Sequence, residues 1–62
     1  MNDIKLFDVV KVVGILNTVL VGQIAVVMGF HTPEYPIIVF RDTPEGYNPA
    51  IVLSIYCLEK VQ

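Results

Sequence analysis

The chain has 62 residues, of which 55% are hydrophobic and 16% charged, and its net charge is −2. One domain of that size buries only about 60% of the surface its unfolded chain exposes, so this much apolar sequence exceeds what a single small core can hide, and contiguous apolar surface left outside marks an interface. The four basic residues, Lys5, Lys11, Arg41 and Lys60, are scattered, which excludes the basic stripe that a nucleic-acid polymer requires.

A small anionic ligand needs only one or two cations and a few backbone N–H groups, so that class stays open. The single cysteine, Cys57, lies among apolar residues and reads as a small buried hydrophobe in a reducing, cytoplasmic setting. No partner for a disulfide or a metal site accompanies it. The start, MNDIKLFD, lacks the charged, apolar and cleavage regions of a signal peptide. The 22 residues from Val9 to Phe30 carry one charge, a length that could cross a bilayer. Lys11, Asn17, Thr18 and Gln23 interrupt them, Val and Ile dominate, and Gly14 and Gly22 divide them into strand-length pieces. No membrane partner is expected.

In chain order, LFDVVKVV at 6–13 is β-branched, with Val9, Lys11 and Val13 on one face and Val10 and Val12 on the other. GILNT at 14–18 is the first break, with an Asn-Thr turn and two apolar residues, Ile15 and Leu16, that are unusual in a loop. LVGQIAVVMGFH at 20–31 is the second strand, its bent start marked by Gly22. Ile24, Val26, Met28 and Phe30 are expected on one face and Ala25 and Val27 on the other. A strand apolar on both faces is covered on both, and a small barrel has only one inside.

TPEYP at 32–36 and TPEGYNP at 43–49 nearly repeat each other, and the segment from Phe30 to Pro49 holds all four prolines. Proline presets φ for the first central turn position, and Gly46 supplies a positive φ in the second copy. The repeat is turn chemistry used twice. The strand between the copies, PIIVFRD at 36–42, separates them by roughly 20 Å at ~3.3 Å per residue, so they form no single site within one chain. AIVLSIY at 50–56 is the fourth strand, and CLEKV at 57–61 a short closing strand after a 3₁₀ turn.

Five short runs with turn signals and no helical period predict an all-β domain, a small five-stranded antiparallel barrel. Alternation places Val10, Val12, Val27, Ile38, Phe40, Val52 and Leu58 in its core. The order FDVVKVV (7–13), VGQIAVVMGF (21–30), YPIIVF (35–40) and LEKV (58–61) resembles SH3-like barrels of the KOW type, and departs from their G-x-I-G-x-V strand at Ala25. It is similar to small barrels encoded by bacterial and phage open reading frames. The resemblance covers nearly the whole chain and implies an SH3-like barrel with a binding style, since such barrels bind proteins, peptides, RNA or one another.

No catalytic set is visible, and neither an enzyme, a cofactor nor a metal is expected. Arg41 is the leading contact residue, as a clamp for phosphate or carboxylate. Tyr47 would stack beside it, with Asn48 close in sequence, while His31 and Tyr35 mark the other turn. Two functions follow. One is a non-enzymatic homo-oligomeric binding module, phage- or mobile-element-like, that binds and modulates a host protein. The other is an oligomer that cages a small anionic ligand, such as a nucleotide signal, between subunits. Self-association is expected in both, with Leu16, Leu20, Met28 and Phe30 at the contact. Leaving three or four such side chains in water forgoes roughly 1.5–3 kcal/mol each, comparable to the whole stability of so small a domain.

Overall fold

The computed structural model describes residues 4–14, 19–43, 45–46 and 48–61. Five antiparallel strands form one sheet: β1 (Val9–Val12), β2 (Ile24–Thr32), β3 (Tyr35–Phe40), β4 (Ala50–Val52) and β5 (Leu58–Lys60), in the spatial order β4-β3-β2-β1-β5. The sheet is open, with the three-residue strands β4 and β5 at its edges. A one-turn 3₁₀ helix, Ile55–Cys57, precedes β5. The Ser54 hydroxyl caps it by accepting from the Tyr56 N–H at 3.2 Å. The expected turn and closing strand are therefore present, each within a residue or two of its predicted place.

One face of the sheet carries the core. Val10, Val12, Ala25, Val27 and Ile38 are fully buried, Phe40 and Leu58 nearly so, and Ile4 and Leu20 close over them from outside the strands. Ile51, Leu53 and Ile55 pack against the rim. Two expectations are corrected here. Val52 is 45% exposed, because Ile51 opposite buried Ile38 takes the inward position and Val52 opposite Ile37 points the other way. Leu20 is buried, so it belongs to the core and not to a contact surface.

Turn chemistry shortens the strands relative to the sequence reading. Leu6 and Phe7 form a turn closed by the Asp8 N–H donating to the Lys5 carbonyl at 3.1 Å. Phe7 has a φ of 70° there, a left-handed position that strains a residue with a Cβ. The Asp8 carboxylate braces this turn by accepting from the Lys5 N–H at 2.8 Å, and the Lys60 ammonium at the end of β5 lies 3.4 Å from it. Residues 20–23 form a second turn, with the Gln23 N–H donating to the Leu20 carbonyl at 3.1 Å and Gly22 at a φ of 90°. Only glycine adopts that angle without strain. β2 therefore starts at Ile24, four residues later than alternation suggests.

Two register shifts interrupt the pairing of β2 with β3, one between Val27 and Gly29 and one between Phe30 and Thr32. Met28 and His31 are the extra residues. A bulge reverses the alternation after it. Phe30 consequently stands opposite buried Pro36, on the side of Ile38, and does not share a face with Ile24 and Val26. Pro36 has no N–H to donate, and the irregular pairing beside it accommodates that loss.

Ile38→Ala should cost about 2–5 kcal/mol in urea unfolding, as removal of a fully buried aliphatic side chain does. Val52→Ser should stay within roughly 0.5 kcal/mol of the parent. The Lys5 backbone hydrogen bond, aided by Lys60 against partial desolvation, lowers the Asp8 carboxyl below its ordinary value of 3.8. A lowered folded value means that the stabilisation is complete above 3.8 and fades as pH falls through the lower folded value. Asp8→Asn should therefore lower the melting temperature at pH 7, and the difference from the parent should narrow below about pH 4.

Candidate functional site

The second face of the sheet is apolar at its centre. Val9 of β1 pairs with Val26 of β2, and Val26 with Val39 of β3. All three point away from the core, because Val10, Ala25, Val27, Ile38 and Phe40 beside them point in. Val61, just past β5, joins the row by donating its N–H to the Val9 carbonyl at 2.9 Å. Ile24 lies next to Val26 along β2, and the bulged Met28 stands at the far end, half exposed. These residues, with Phe40 and Arg41, line an open groove of about 560 Å³.

Arg41 reaches the groove because the ladder continues one residue past β3. Its N–H donates to the Ile24 carbonyl at 2.9 Å, which sets its side chain beside Ile24. The guanidinium is exposed, and no carboxylate of the described residues pairs with it. The neighbouring Asp42 does not neutralise it in an ion pair. An unpaired guanidinium at the end of an apolar groove offers one anion-binding fork next to a surface for aliphatic groups.

Among the described residues, Arg41 is the one contact candidate of the sequence reading that lines this groove, and Met28 the one interface candidate that does. Asn48 is exposed and outside the lining. His31 and Tyr35 are exposed at the other end of β3, around the Pro33–Glu34 turn, where Thr32 pairs with Tyr35. That turn and the turn at Glu45–Gly46 thus lie beyond opposite ends of the strand. Tyr47 and Leu16 lie outside the described residues. Cys57 is half-buried, with its backbone tied to Val13 and Ser54. Among the described residues, no three His, Cys, Asp or Glu side chains come together as a metal-binding group.

The valines of the groove were missed as a site because each is unremarkable alone. The available signal was the two-sided apolarity of 20–31, which shows that both faces need cover but not which outer residues of the neighbouring strands stand beside them. Comparison with known protein families, with curated proteins and with solved structures gives no match.

Arg41→Ala should leave the fold intact, because the side chain is exposed and unpaired among the described residues. The expected change is within roughly 0.5 kcal/mol, or less than about 4 °C in melting temperature for a domain this small. A larger drop in a thermal melt would show that Arg41 supports the fold.

Proposed function

We propose that this chain is a non-enzymatic, homo-oligomeric binding module of the SH3-like barrel type, and that its outer sheet face takes a protein partner. The barrel reading is supported by three features: β1 to β4 form a meander, β5 returns to pair with β1, and a single 3₁₀ turn precedes β5. The observation that carries the binding reading is the groove itself. It has a wall of Val and Ile side chains on the face opposite the core, with a single cation at one end. Water contacts every one of these groups in the isolated chain, and covering them gains roughly 25 cal/mol per Å² of apolar area. A complementary protein surface supplies that cover, and an aliphatic patch with a charge at its rim is the usual anatomy of such contacts.

A second reading, capture of a small anionic ligand between subunits, is favoured by one observation: the Arg41 guanidinium opens onto a groove whose volume suits a small molecule. The apolar lining ranks it behind a protein partner, because a nucleotide-like anion would bring several charges to one guanidinium.

Native and denaturing mass spectrometry of the chain purified from cells separates the readings. The protein reading expects a native mass above the 6.9 kDa of one chain, composed only of polypeptide, and its return to 6.9 kDa in Val39→Lys. A small molecule released on denaturation supports the ligand reading. A folded 6.9 kDa species without bound material overturns both.

A further inference from the structure

We infer that the occupant of the outer face is a second copy of this chain, packed sheet on sheet about a two-fold axis that runs along the strands between β1 and β2. The inference rests on the reading of that face as a protein-binding surface and adds the partner and its register. Two cross-strand rows carry it. The first is Val61, Val9, Val26 and Val39, one residue from each of four adjacent chain segments. The second runs parallel to it: Glu59 pairs with Lys11, Lys11 with Ile24, and the Arg41 N–H bonds to Ile24.

A two-fold axis along the strands exchanges left and right within each row. The four valines of the first row are unchanged by the exchange, with Val61 meeting Val39 of the partner and Val9 meeting Val26, while Ala50 of β4, which pairs with Val39, extends the row by one small side chain past the partner's edge. The second row has opposite charges at its ends, about 14 Å or three strand spacings apart. Exchange therefore sets Glu59 over the partner's Arg41 and Arg41 over the partner's Glu59. Both are exposed, and neither is ion-paired among the described residues. Lys11 comes over Ile24, covering it with its aliphatic stem while the ammonium stays at the rim beside Glu59.

The geometry is of a known kind. Sheets packed face to face keep their strand directions within about 30°, and an axis along the strands satisfies that. An isologous contact needs a surface complementary to itself, and a palindromic apolar row beside a charge-reversed one meets the condition. A standard interface covers roughly 800 Å² per partner, about a fifth of the 4163 Å² surface, which is the scale of one broad face of a molecule measuring 29 × 20 × 18 Å.

Sedimentation equilibrium on charge-reversed variants tests the register. The parent should sediment at twice 6.9 kDa. E59R brings an arginine against the partner's Arg41, and R41E brings a glutamate against the partner's Glu59, so each alone should dimerise at least tenfold more weakly. Mixed one to one, they should recover a heterodimer, because each like-charge clash becomes an opposite-charge pair. A monomeric, folded parent overturns the inference, and the native mass of material purified from cells then decides whether a different protein covers the face. Single variants that dimerise like the parent, or a mixture that stays monomeric, overturn the two-fold register. In either of those cases Val39→Lys reports on the face: loss of the dimer keeps the surface reading, and a retained dimer removes it as well.

Discussion

A sheet has two faces, and the described residues outside the strands cover only one of them. The rest of this structure is arranged around that constraint. β2 is the middle strand of five and the longest, at nine residues. Its inward residues, Ala25 and Val27, are fully buried. Its outward residues, Ile24 and Val26, are equally apolar, and among the described residues only their neighbours in the sheet lie beside them. The core takes its cover from short pieces, Ile4, Leu20, Leu53 and Ile55, none of which lies within a strand. All of these pieces close the inner side. The chain supplies no comparable cover for the outer one among its described residues.

The inner closure depends on turns that are specified tightly. Gly22 lets the chain reverse so that Leu20 folds into the core while the Gly22 N–H rejoins the Val12 carbonyl at 2.8 Å. The Lys5–Asp8 turn carries Ile4 over the opposite end and ties β5 to it through Lys60. Phe7 holds a left-handed angle there although it has a side chain, a strain of roughly 1–2 kcal/mol. Its ring gains little in exchange, being 65% exposed in the isolated chain. The Asp8 carboxylate and the Phe7 N–H bond to the Val27 carbonyl, at 2.7 Å, hold the turn against that strain.

Much of this was legible in the amino-acid order. Period-2 alternation identified six of the buried strand residues, Val10, Val12, Val27, Ile38, Phe40 and Leu58, because a half-buried strand leaves that pattern. The Pro33–Glu34 turn and the positive φ of Gly46 followed from residue type alone. Val52 failed because β4 has three residues, too few for alternation to fix a face, and its partner decides the matter. Phe30 failed for a different reason. The bulge at Met28 lies within a smooth apolar run, and neither Gly nor Pro stands at the extra residue itself to announce it. The groove was legible only in outline, since it is made by register: Val9, Val26, Val39 and Val61 are far apart in sequence and adjacent only once four segments are paired.

The placement of charge separates the two faces. Inside, no polar or charged residue is buried among the described residues, so the core imposes no electrostatic specificity and depends on shape. Outside, Glu59, Lys11 and Arg41 border the valine row on one side only. Charges scattered for solubility would have no reason to leave the parallel row bare. An apolar stripe bordered on one side fixes an orientation: the stripe supplies non-directional attraction, and the charges penalise every register but the one that pairs them. In the two-fold dimer proposed above, symmetric closure of that contact would limit the assembly to two chains.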